Sequence, residues 1–146
     1  MESQASIRLQ QITLGLLRIV VGFLFMAHGA QKLFGVLGSE PAQLMSLRGA
    51  AGILEFFGGL LILVGLFTRP VAFILSGQMA VAYWLRHGSQ GFWPIENGGE
   101  LAAFYCFTFL FFWTAGGGAW SLDAWLRRRQ TAGSASVAEA RSPSGS

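Results

Sequence analysis

Hydrophobic positions in this chain come in long blocks, not at the three- and four-residue spacing of a soluble amphipathic helix. Residues 12–34, ITLGLLRIVVGFLFMAHGAQKLF, carry Arg18, His28, Gln31 and Lys32, yet nothing charged falls between positions 19 and 27. At ~1.5 Å rise per residue the segment reaches ~35 Å, enough to cross a ~30 Å hydrocarbon core. Three further blocks follow. Residues 49–67, GAAGILEFFGGLLILVGLF, hold Glu55; residues 71–85 hold Ser76 and Gln78; residues 100–120 hold a phenylalanine-rich run. The pattern predicts an all-α integral membrane four-helix bundle.

The connections are read from turn chemistry. Gly38-Ser39-Glu40-Pro41 marks a loop, and Thr68-Arg69-Pro70 reads as a tight turn between the second and third spans. In Asn97-Gly98-Gly99-Glu100, Asn97 is expected to cap the fourth span while Glu100 folds back, a variant of the capping box. Residues 1–11 read as a cytoplasmic tail, 12–126 as the membrane domain, and 127–146 as a basic, then disordered, cytoplasmic tail. With both ends inside, Arg8, Arg69, Arg127, Arg128, Arg129 and Arg141 face the cytoplasm, against Lys32, Arg48 and Arg86 outside. That bias obeys the positive-inside rule. Arg18, within the first apolar run, favours a retained span over a cleaved signal.

Composition narrows the class. The 146 residues are 53% hydrophobic and 12% charged, against about 25% charged in soluble domains. The net charge of +3 does not indicate nucleic acid, because the Arg127-Arg128-Arg129 run directly follows an apolar segment and suits a membrane anchor. A single cysteine, Cys106, excludes an internal disulfide and CxxC redox chemistry from this subunit alone.

Glu55 leads the candidates for chemistry, since an unpaired carboxylate inside a span is costly. Gly52, Gly58 and Gly59 flank it at helical spacing and invite close backbone approach. Counted in from its predicted start, Glu55 falls between the levels of Arg18 and His28, so an ion pair with Arg18 is expected. Its role is either a ligand-orienting or proton-accepting carboxylate or a purely structural pair. His28 and Lys32 share one helix face with Gln31 beside them. His87, Glu96 and Glu100 are expected at the same outer level, where a small polar chamber is geometrically open. His-Gly-Ala-Gln at 28–31 and His-Gly-Ser-Gln at 87–90 also form an internal echo. No ligand spacing for a metal occurs within one helix, so no metal site is assigned.

Several motifs together carry a resemblance. They include Leu17-Arg18 with Gly22, and His28-Gly29 before Lys32-Leu33-Phe34. Glu55-Phe56-Phe57-Gly58-Gly59 is followed by Gly65-Leu66-Phe67-Thr68-Arg69. Met79, His87, Gly91-Phe92-Trp93 and Asn97-Gly98-Gly99-Glu100 come next, then Gly116, Gly118 and Trp120-Ser121-Leu122-Asp123. Over residues 14–125 the chain resembles the DoxX family. The resemblance implies a small bacterial inner-membrane protein of four helices. Related proteins include membrane subunits of thiosulfate–quinone oxidoreductases, and some members are linked to membrane complexes handling oxidative or thiol stress.

The resulting expectation is a small membrane subunit of a quinone-linked oxidoreductase complex. Quinone would be its cofactor, and redox subunits, further copies of the chain and the lipid bilayer its partners. Glu55 and His28 would orient or protonate the headgroup, with Arg18, Lys32, Gln31, His87 and Glu100 around them. A permease or proton-coupled carrier for a small polar solute, or a scaffold without chemistry, are the alternatives.

Overall fold

The computed structural model describes residues 3–141, with side chains as far as Ser134. Among them the chain is helical without strands: α1 (Gln4–Phe34), α2 (Leu47–Val64), α3 (Thr68–Arg86), a 3₁₀ turn (Gly88–Gln90), α4 (Pro94–Asn97), α5 (Glu100–Ala115) and α6 (Leu122–Arg141). The ends of these helices follow from local chemistry. Ser3 and Ser46 cap α1 and α2, their side chains accepting from the N–H of Ser6 and Gly49. Gly35 and Gly65 end the same helices at φ of 64° and 71°, a left-handed backbone that only glycine adopts without strain.

Several predicted boundaries shift. The stretch read as an N-terminal tail is helical from Gln4, because Gln, Arg and Leu are good helix formers. The turn falls at Gly65–Phe67, not at 68–70: Gly65 and Phe67 are the left-handed residues, and α3 already begins at Thr68, with Pro70 tolerated in its first turn. The fourth block ends as a helix at Ala115, where Gly116 and Gly118 at φ of 79° and 74° break it. The tail expected to be disordered continues α6 to Arg141, while residues 142–146 lie outside the described residues.

Helices α1 and α2 run antiparallel and almost touch. A Cβ at Gly22 would stand 2.5 Å from the Leu63 nitrogen, and one at Gly29 would strike the Phe56 backbone. Small residues thus let the two backbones approach, as in membrane helix pairs. Helix α3 packs chiefly on α5. The two pairs share one core: Val21 and Phe25 of α1, Ile62 of α2, Ala72, Leu75 and Met79 of α3, and Tyr105, Phe109 and Phe112 of α5. Phe25 anchors its aromatic centre, 4.7 Å from Phe109 and 5.0 Å from Tyr105 between ring centroids.

The outer surface is as apolar as the core. Leu16, Val20, Phe23, Phe57, Phe73, Ile74, Val81, Phe104, Phe107 and Phe111 are all exposed. A monomeric soluble protein does not leave so much contiguous apolar surface to water. By length and composition α1 and α2 suffice to cross a membrane; α5 is apolar but 16 residues long.

Candidate functional site

Two polar centres interrupt this apolar body, one at the middle of α1 and one near its C-terminal end. At the first, the Arg18 guanidinium is 1% exposed. It donates to the carbonyls of Gly117 (2.9 Å), Ile62 (2.6 Å), Leu63 and Trp120 (2.9 Å). Ile62 and Leu63 lie in the last turn of α2, whose carbonyls have no partner within the helix. Gly117 and Trp120 belong to the connection between α5 and α6. One side chain therefore ties three parts of the chain together. Beside it, the Asp123 carboxylate accepts from the N–H groups of Phe67 (2.8 Å) and Thr68 (2.9 Å), capping α3 from α6.

The second centre lies at the C-terminal end of α1. Glu55, 2% exposed, pairs with Lys32 through both carboxylate oxygens. Its Oε1 also accepts from Gln78 Nε2 at 3.2 Å. The Gln78 Oε1 is buried without a hydrogen-bond partner. Tyr105 is close enough to interact with the Glu55 charge, and the His28 ring meets Tyr105 edge-on at 6.1 Å. Each of α1, α2, α3 and α5 thus contributes a polar side chain to one cluster. Its charges cancel, Lys32 against Glu55, and Lys32 keeps a side-chain exposure of 29% while Glu55 has 3%.

The expected Glu55–Arg18 pair is not formed. Phe56 abuts Gly29, so Glu55 lies level with the last turns of α1, and the eleven positions from Arg18 to Gly29 span ~16 Å. The depth count failed because α2 begins at Leu47 and the loop after α1 offsets the two helices. Lys32 does pair with Glu55, and the His28 ring meets Tyr105. Gln31 supplies a backbone carbonyl to the N–H of Gly35, ending α1.

His87 and Glu100 stand apart. His87 ends α3, nine positions or ~14 Å beyond Gln78, with its Nδ1 2.8 Å from the Asn97 carbonyl oxygen. Glu100 is exposed in the first turn of α5. The expected capping box is replaced by a loop clasp. Asn97 closes the short α4, accepts from Gly99 N–H at 2.8 Å, and donates to Gly91 O and the Tyr83 hydroxyl. No chamber gathers His28, His87, Glu96 and Glu100; among the described residues no three His, Cys, Asp or Glu could share a metal ion. The 28–31 and 87–90 echo also takes two forms, helix in one case and helix end plus 3₁₀ turn in the other.

Gln78 and Tyr105 escaped notice as site residues. Each had a faint signal: Gln78 is the sole carboxamide of α3 and Tyr105 the sole tyrosine of the phenylalanine-rich α5.

The DoxX family model matches residues 13–88, over half of the chain, from Thr13 in α1 through all of α2 and α3. This chain belongs to the DoxX family. A relative from Haemophilus influenzae, described as an uncharacterized protein, is 44% identical over 117 residues, covering 75% of this chain and 87% of its own. An uncharacterized membrane protein of Mycobacterium tuberculosis is 29% identical over 134 residues, covering 80% and 82%. No solved structure matches. Family and apolar exterior together support the membrane nature of this DoxX protein.

Proposed function

We propose that this DoxX protein is a four-span membrane subunit of a quinone-linked oxidoreductase complex, with the Glu55 cluster holding the quinone headgroup. Since α3 and α5 share a core with α1 and α2 and expose apolar faces of their own, a membrane that admits one pair admits both. An even number of spans leaves both ends on one side, and the arginine bias favours the cytoplasm.

The observation that carries the headgroup assignment is Gln78 Oε1. A buried carbonyl oxygen without a partner costs about 1–3 kcal/mol, and that cost is relieved by a ligand that donates a hydrogen bond. The neighbouring Glu55 and Lys32 charges cancel, so the cluster favours a neutral group over an ion. A quinol hydroxyl fits the Gln78 oxygen, and the Tyr105 phenol and Lys32 ammonium can donate to a quinone carbonyl. Bound quinone supplies two-electron redox chemistry, and a partner subunit must bring the electrons. Within this chain, Glu55 and Gln78 orient the headgroup, and Glu55 is positioned to hold a proton beside it.

The test is organic extraction of protein purified in lipid nanodiscs, followed by mass detection of quinone. Near-stoichiometric quinone in the wild type, falling to about a tenth in Gln78→Leu as one hydrogen-bonded anchor is lost, is expected. Wild-type quinone at the level of an unrelated four-span protein sinks the assignment. The pairing of Glu55 with Lys32 and Gln78 favours a second reading, a structural staple without chemistry. In that case Gln78→Leu changes neither quinone content nor phenotype.

A further inference from the structure

The Arg18 end of the molecule holds an open cavity of about 860 Å³ between the start of α3, the α5–α6 connection and α6. Arg69, Arg127 and Arg128 line it, against the single carboxylate, among the described residues, of Asp123. Thr68 also lines it. That residue is 0% exposed, and its hydroxyl makes no hydrogen bond although its N–H is held by Asp123. The Gly117 backbone crowds the hydroxyl, since a Cβ there would sit 2.7 Å from Thr68 Oγ1. An unused buried hydroxyl on a residue that lines the same cavity as three arginines makes a receptor for an anion with several acceptor oxygens. A second, smaller crevice of about 360 Å³ adjoins the cavity, sharing Ala119 and Arg128, and is walled by Val64, Trp120, Leu122 and Trp125.

We propose that the two together bind one acidic phospholipid. The phosphate sits among Arg69, Arg127, Arg128 and Thr68, and an acyl chain lies along Trp120 and Trp125. The adjoining apolar crevice is what selects a lipid over a free phosphate. Under the orientation argued above, this end faces the inner leaflet, where anionic headgroups attract basic residues near the surface. The inference rests on the membrane reading of the fold and not on quinone binding, which involves the opposite end of the core.

Native mass spectrometry of the detergent-solubilised full chain tests it, with short-chain phosphatidylglycerol, short-chain phosphatidylcholine and inorganic phosphate as probes. One phosphatidylglycerol per chain is expected to be retained in preference to phosphatidylcholine. Arg127→Gln with Arg128→Gln should weaken retention about 25-fold, from the loss of two near-surface charges. Thr68→Val is the sharper variant because the wild-type hydroxyl has no bond to lose within the protein. It should leave thermal stability unchanged or raise it, since an unpartnered buried hydroxyl is removed, and weaken phosphatidylglycerol about tenfold. Equal retention of the two lipids, or wild-type retention by Thr68→Val, overturns the proposal. Inorganic phosphate displacing the lipid at equal concentration overturns the choice of a lipid.

Discussion

Arg18 and Glu55 are equally hidden, at 1% and 2% exposure, but they are satisfied in different ways. Arg18 spends its donors on the carbonyls of Gly117, Ile62, Leu63 and Trp120, none of which can change charge. Glu55 is held by Lys32, whose ammonium is part-exposed, and by Gln78, whose other amide atom is unused. Burial of a charge therefore does not by itself mark a functional site. Its partners matter. Backbone partners fix geometry permanently, whereas ionisable or half-satisfied side chains leave room for a proton or a ligand.

The largest effect is expected from Arg18→Leu. It leaves the carbonyls of Leu63, Gly117 and Trp120 without their donor, while Ile62 keeps the N–H of Gly65, and it releases the α5–α6 connection from the end of α2. Stability should fall by about 4 kcal/mol, as for several buried acceptors left unsatisfied at about 1–3 kcal/mol each. Arg18→Lys should recover only part of this, because a single ammonium cannot match the planar fork. Thermal unfolding in detergent, followed by circular dichroism, measures both. An Arg18→Leu protein as stable as wild type would remove the contrast with Glu55.

Glu55→Leu should cost less, about 2 kcal/mol, since the Lys32 ammonium it strands can still reach solvent from its part-exposed position. Adding Lys32→Leu should restore most of that loss, because paired apolar replacement of a buried ion pair is often neutral. The double-mutant cycle should therefore show strong coupling of Lys32 to Glu55 and none of Arg18 to Glu55, whose centres lie far apart. Coupling between Arg18 and Glu55 comparable to that of the Lys32 pair would revive the ion pair expected from sequence.

How far the sequence could be read follows from the same contrast. The helical character of all four apolar blocks, and the glycines that bring α1 against α2, were legible because hydrophobicity and small residues are local signals. Glu55 and Lys32 stood out as charges within apolar runs for the same reason. Their register was not legible. Whether Glu55 meets Arg18 or Lys32 depends on the offset between Phe34 and Leu47, which is set by packing at Gly22 and Gly29. The role of Arg18 was hidden because its partners are backbone atoms of Ile62, Leu63, Gly117 and Trp120, and a carbonyl has no residue type to read. His87 was misplaced because an α3 that ends at Arg86 sends it to the Asn97 carbonyl rather than into the core.

The smallest expected effect separates stability from binding at the Arg18 end. Each Asp123 carboxylate oxygen accepts one N–H, from Phe67 and from Thr68. In Asp123→Asn the amide offers one acceptor oxygen and turns an NH₂ group toward the other N–H. The loss should be about 1 kcal/mol, as for other N-cap replacements. That substitution also removes the only carboxylate that lines the arginine cavity among the described residues, so phosphatidylglycerol retention should rise while stability falls. A purely structural cavity predicts a different result, with retention unmoved or falling along with the melting temperature. Quinone content should stay at the wild-type value, since the Glu55 cluster shares no partner with Asp123.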